Sequence, residues 1–186
     1  MSLTIHDDPL PYVDALPQRA ADAVTRVVIH CTELPDLATA REYGERVQHA
    51  SGTGNSGHYY IDRDGTIHRY VPATRTANHV RGHNTDSIGI ELVNLGRYPD
   101  WYDSRRQQMT ESYPAVQIRA LCQLLVQLQQ EFSCLHEIAG HEQLDTGTLA
   151  ATDAPRQQVR RKLDPGPQFP WSEVLRATAL VRHGQG

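Results

Sequence analysis

The segment Arg161-Lys162-Leu163-Asp164-Pro165-Gly166-Pro167 sets an amine and a carboxylate two residues apart, just ahead of a Pro-Gly-Pro turn. In extended chain, residues two apart point to the same side, so Lys162 and Asp164 can face one cavity. The residue before a proline is biased towards extended backbone, which fixes the direction of Asp164. Two histidines close short apolar runs: His30 follows Val27-Val28-Ile29, and His141 follows Ile138-Ala139-Gly140. Two imidazoles and one carboxylate can hold a zinc ion and leave a fourth position for water, the arrangement of a metallohydrolase. Such chemistry also needs a proton carrier. Glu91 is the one charged residue in the strand-like run Ser87-Ile88-Gly89-Ile90-Glu91-Leu92, where a buried carboxylate is costly unless paired or functional.

Each of these residues has a plainer reading. Any single histidine among 10 is better taken, on residue type alone, as an ordinary hydrogen-bonded or solvent-facing side chain. Glu91 alone reads slightly better as half of an ion pair, and Lys162 as a solvated lysine. Two rival histidine pairs also exist. His141 and Asp145 would share a helix face at i and i+4, as would His79 and His83. Gly82 disfavours a helix across the second pair, and both sets read as polar loop residues, with His79 the better candidate to touch a substrate.

The elements that must position these groups are legible in part. Val27 to His30 is a short buried strand, with Val28 and His30 on one face and Cys31 pointing the other way. Asp36 caps a helix expected over Leu37 to Ala50, weakened by Gly44. Residues 51–57 read as a flexible loop. Asp64-Gly65 between Tyr59–Asp62 and Thr66–Val71 signals a hairpin. Ser87 to Val93 alternates, with Ile88, Ile90 and Leu92 on one face and Gly89 and Glu91 on the other. Residues 97–112 are polar and turn-rich. Ala115 to Phe132 is the clearest helix, its apolar Ile118, Leu121, Leu125, Leu128 and Phe132 spaced three and four apart. Glu142 to Arg161 reads as loop with a short helix, and Trp171 to Arg182 as a last surface helix. This order fits a mixed α/β fold, a central mixed sheet flanked by helices. The first 25 residues form a proline-containing lead-in draped over one domain of residues 26–186.

Bulk composition narrows the partners. The chain has 186 residues, 39% hydrophobic and 22% charged, with a formal charge of −4, so a basic nucleic-acid footprint is absent. Cys31, Cys122 and Cys134 cannot all pair within one chain and read as small buried hydrophobes. The acidic, proline-interrupted start is unlike a signal peptide, and no run is long enough to span a membrane. The expected location is the cytoplasm.

The blocks Val-Ile-His-Cys-Thr, His-Tyr-Tyr-Ile-Asp-Arg-Asp-Gly, Ser-Ile-Gly-Ile-Glu-Leu, Gly-His-Glu and Lys-Leu-Asp-Pro-Gly-Pro occur in this order. In that order they resemble the zinc-dependent N-acetylmuramoyl-L-alanine amidases of the peptidoglycan-recognition-protein fold, and in particular the bacterial muropeptide-recycling type. The resemblance covers about Val27 to Trp171. It implies one zinc ion on His30, His141 and Asp164, Glu91 as the catalytic glutamate, and Lys162 as the partner of an oxyanion. It further implies a muropeptide or peptidoglycan substrate; His79 and Asn94 are candidate substrate contacts, and the chain is expected to act as a monomer. In the related phage amidase a tyrosine before the His-aromatic pair does the glutamate's job; here that slot holds Gly57, so the work falls to Glu91, and Tyr59 and Tyr60 are packing residues. Where the family often has Trp-His-Ala-Gly, this chain has Asn78-His79-Val80-Arg81-Gly82, which removes a large apolar wall. Members that only bind fragments of the wall usually lack a zinc ligand; all three are present here, which favours an enzyme over a non-catalytic binding module.

Overall fold

A computed structural model describes residues 3–185. In chain order the elements are β1 (Ile5–Asp7), β2 (Arg26–Cys31), α1 (Leu37–Glu45), β3 (Tyr59–Ile61), β4 (Ile67–Arg69), β5 (Ser87–Leu92) and α2 (Ala115–Glu131). They continue with β6 (Glu137–Gly140), α3 (His141–Leu144), β7 (Thr148–Ala150), β8 (Gln158–Arg160), α4 (Trp171–Ala177) and β9 (Val181–Arg182). Among the described residues, seven strands make one sheet in the order β1-β4-β3-β5-β2-β6-β9, and β7 and β8 pair separately. Every neighbour in the large sheet is parallel except the β3–β4 hairpin. The expected mixed α/β architecture is the one observed.

Alternation along the central strands divides their side chains between two layers. Val27, Ile29, Ile88, Ile90, Leu92 and Ile138 face α2, which answers with Ile118, Leu121, Leu124, Leu125 and Leu128. Each of these leucines contributes about 1.5–3 kcal/mol by burial. The other face carries a second apolar cluster, in which Leu10, Tyr12 and Leu16 of the N-terminal segment pack with Leu34, Ala40, Tyr60 and Tyr70. Beyond that cluster, His30 and Glu91 face the cleft.

Several expectations change. The N-terminal lead-in is part of the sheet, since β1 pairs in parallel with β4. Helix α1 is capped by Asp36, whose Oδ1 accepts from the Thr39 amide at 2.7 Å, but stops at Glu45 rather than Ala50. There Arg46 turns extended, and the Gly44 carbonyl accepts from the Tyr12 hydroxyl at 2.6 Å. The loop at 51–57 is tied down: Thr53 and Ser56 are buried, and Asn78 Nδ2 donates to the Gly54 carbonyl at 3.1 Å. Gln117, on the polar side of the helical pattern, is wholly buried and bridges the Ile61 and Val93 carbonyls. The region after His141 holds β7 and β8 as well as a short helix, and the final helix ends at Ala177, with β9 returning to the sheet edge. Of the cysteines, Cys31 is buried, Cys122 half-buried and Cys134 exposed. Among the described residues, no helix is long and apolar enough to cross a membrane.

Candidate metal centre and active site

Parallel strands align their carboxyl ends, and in open α/β sheets ligands bind outside those ends. His30 and Glu91 are register partners on β2 and β5, and Tyr60 of β3 pairs with Glu91 from the other side. Ile29 pairs with Gly140, so His141, the first residue of α3, emerges beside His30. Asp164 arrives from the far end of the chain. Its carbonyl accepts from the Glu142 amide at 3.0 Å, and the next carbonyl, of Pro165, accepts from the Tyr113 hydroxyl at 2.6 Å.

These elements bring three ligand atoms to one point. His30 Nδ1 lies 2.9 Å from His141 Nδ1 and 3.1 Å from Asp164 Oδ2, and His141 Nδ1 lies 3.0 Å from the same oxygen. A tetrahedral metal with bonds of about 2.0–2.1 Å holds its ligand atoms about 3.3 Å apart. The observed triangle is slightly tighter than that. Asp164 Oδ1 is buried and has no hydrogen-bond partner among the described residues, an oxygen left over for a cation. The residues present fit a site of two imidazoles and one carboxylate, and such a cluster could hold a metal.

Electrostatics agree. Burial, helped by neighbouring His141, pushes His30 down to about 4, so it is a neutral ligand at physiological pH. Burial opposes ionisation of Asp164, but His141, His30 and Lys162 outweigh it and hold the carboxyl well below its usual range. Glu91 behaves in the opposite way: burial first, then the charge of Asp164, push it up to about 8 despite Lys162. Its Oε1 stands 3.9 Å from His30 Nδ1, and 15% of its side chain is exposed to the cleft. Burial works against a charged Lys162, yet Asp164, Glu33 and Glu91 together raise its pKa. The cleft around these groups encloses about 680 Å³ and is lined also by Tyr60, Asn78, His79, Arg81, Trp101 and Arg161.

His79 and Asn94 take unexpected places. His79 lines the cleft, but its Nδ1 lies 3.0 Å from His30 Nε2 and its Nε2 lies 3.2 Å from Ser87 Oγ. Both nitrogens are spent inside the protein. Asn94 is 2% exposed; its Nδ2 donates to the Glu111 carbonyl and its Oδ1 accepts from the Gly96 amide. The structure does not bring Asn94 to the cleft, because its amide is used to turn the chain into residues 96–112. Of the rival pairs, Asp145 is ion-paired with Arg161 and His83 Nδ1 lies 2.9 Å from an Arg26 nitrogen.

Residues 96–112 supply a positioning device that no sequence pattern announced. Arg97, its side chain wholly buried, makes a two-pronged ion pair with Glu33 at 2.7 and 2.8 Å. The same guanidinium donates to the carbonyls of Arg160 and Arg161 at 2.9 and 3.2 Å. One arginine thus ties the segment after His30 to the segment before Lys162 and Asp164. Trp101 Nε1 adds a bond to the Glu33 carbonyl at 3.0 Å. Glu33 itself adopts a left-handed φ of 50°.

A model of the N-acetylmuramoyl-L-alanine amidase family matches residues 20–167. This chain belongs to that family. No curated protein sequence matches it. Among solved structures, the N-acetylmuramoyl-L-alanine amidase LysC from Clostridium intestinale is similar over 97% of this chain and 100% of that one, with 19% identity and a TM-score of 0.69. A selenomethionine derivative of AmpD is similar over 96% of this chain and 99% of that one, with 23% identity and a TM-score of 0.66. AMPDH3 from Pseudomonas aeruginosa, solved with an anhydromuramic pentapeptide, has 28% identity and a TM-score of 0.61. That match covers 83% of this chain and 60% of the other. The cradle and most of the amidase fold, β2 through Pro167, fall within the matched residues.

Proposed function

We propose that this amidase cleaves the amide between the lactyl group of N-acetylmuramic acid, or its 1,6-anhydro form, and the L-alanine of the stem peptide, using one zinc ion held by His30, His141 and Asp164. The observation that carries the reading is the convergence of the three ligand atoms within 2.9–3.1 Å, with Glu91 at 3.9 Å. Bound there, zinc supplies Lewis acidity that polarises the scissile carbonyl and makes water a stronger acid.

The remaining work belongs to the chain. Glu91, at the rim of the cradle, takes a proton from the attacking water and delivers it to the leaving alanine nitrogen. Burial and the charge of Asp164 push Glu91 up, so that it holds a proton readily, and the positive charge of a bound cation would favour the ionised form that accepts one. Lys162, kept cationic by Asp164, Glu33 and Glu91, offsets the negative charge that develops on the carbonyl oxygen.

The test is incubation of the zinc-loaded protein with an anhydromuramyl tripeptide, with a chelated sample as control and mass spectrometry as readout. Chelator-sensitive release of a peptide beginning with L-alanine is the expected result. A parallel assay on insoluble sacculi separates soluble muropeptide from polymeric wall as the substrate. Tight binding of either without release would make the chain a fragment-binding module and sink the enzymatic proposal.

A further inference from the structure

A neutral imidazole carries one proton, and which nitrogen holds it decides whether the other can bind a metal. For His30 the decision can be traced through three hydrogen bonds. A backbone carbonyl only accepts. Ser87 Oγ is within hydrogen-bond distance of the His83 carbonyl, so the single hydroxyl proton is committed there. The hydroxyl oxygen must then accept from His79 Nε2, 3.2 Å away, which places the His79 proton on Nε2. His79 Nδ1 is left with its lone pair and, at 3.0 Å, accepts from His30 Nε2. The His30 proton therefore sits on Nε2, and its Nδ1 lone pair faces Asp164 and His141.

We propose that His79 and Ser87 are positioning residues: a relay anchored on the His83 carbonyl that locks His30 in the Nε2–H tautomer and keeps its Nδ1 turned to the metal cradle. This rests on His30 being a metal ligand, as proposed above. A separate observation shows that the space is built for the relay. A Cβ on Gly89 would fall 2.6 Å from both Cγ and Nδ1 of His79, so the ring occupies room that only glycine leaves free. The glycine of Ser87-Ile88-Gly89 and the serine two residues before it thus serve one imidazole from the same face of β5. His141 is treated differently, since no hydrogen bond holds its Nε2 among the described residues.

Two measurements test the relay. Long-range proton–nitrogen NMR spectra of the metal-free protein report each tautomer without reference to activity. The expected result is Nε2–H at both His30 and His79. Competition with a chelator then reads the zinc dissociation constant. Ser87→Ala and His79→Phe should each weaken zinc about 10–100-fold, the usual effect of losing a group that orients a ligand. His79→Asn, whose amide oxygen can replace Nδ1 as acceptor, should recover most of the loss seen in His79→Phe. If His79→Phe does not fold, Ser87→Ala, which removes one hydroxyl, still decides. An Nδ1–H tautomer at His30 in the unsubstituted protein, or unchanged zinc affinity in Ser87→Ala, overturns the relay. Unchanged zinc affinity in His30→Ala overturns instead the ligand assignment on which it rests.

Discussion

A Cβ added to Gly57 would lie 2.8 Å from Cγ of Glu91, so residues 57 and 91 compete for one volume and Glu91 reaches the cleft because Gly57 has no side chain. The glycine at this position is thus what makes room for Glu91. Gly57→Ala should push Glu91 off its position, lowering kcat about 10-fold or more, the scale of a misplaced proton-transfer group. Zinc content should be unchanged, since the atoms nearest a Cβ at position 57 belong to Glu91 and Gly89, not to a ligand. Full turnover in this variant would show that the close approach is relieved elsewhere.

Glu91→Gln keeps the shape of the side chain and removes its proton chemistry. Turnover should fall roughly 100-fold or more while zinc stays bound. Full activity in a preparation verified as zinc-loaded would mean that another group carries the proton.

The same residue predicts a pH dependence of stability in the metal-free protein. Glu91 is raised in the folded state, from an ordinary 4.5 to about 8, so above pH 4.5 the folded chain holds a proton that the unfolded chain has released. Linkage then makes this group's contribution fall as pH rises from 4.5 through about 8, with no further change beyond. Glu91→Gln lacks that loss. Urea unfolding of chelated samples should show the variant gaining on the parent protein between about pH 5 and about pH 9. A difference that does not move with pH would contradict the burial assigned to Glu91.

Arg97→Ala leaves the buried Glu33 carboxylate without its guanidinium partner, and should cost about 3–5 kcal/mol in denaturant unfolding. It should also weaken zinc, because the guanidinium no longer holds the carbonyls of Arg160 and Arg161 ahead of Asp164. Pairing Arg97→Met with Glu33→Gln should recover stability better than zinc affinity. Equal recovery of both would reduce the clamp to a stabilising contact.

Asp164→Ala removes the anionic ligand and should abolish stoichiometric zinc in the purified protein, measured by metal analysis, with a folded circular-dichroism spectrum retained. Zinc bound at parental affinity would place the ion elsewhere.

The sequence by itself determined the local elements and the residue types that chemistry needs. The alternation of Ile88, Ile90 and Leu92 against Gly89 and Glu91, the hairpin at Asp64-Gly65, the helical spacing from Ile118 to Phe132 and the Asp36 cap all depend on neighbours within a few residues, and all are observed. His30, Glu91, His141, Lys162 and Asp164 were legible as candidates for the same reason, each in a short block with its own physical logic. Short or isolated pieces were not legible. Strands β1, β7, β8 and β9 have two or three residues each, too few to show a period, and are stabilised only by the partner that tertiary structure supplies. What only the tertiary structure decided is how distant side chains share space and protons. Arg97 reaches Glu33 across 64 residues, Gly57 yields its volume to Glu91, and His79, which lines the cleft, also contacts His30. Asn94 was misplaced for a related reason: a buried amide goes wherever backbone groups are left unpaired, and that account closes only when the chain is folded. Local periodicity carries no information about such contacts, because they are set by the packing of strands whose order in the sheet differs from their order in the chain.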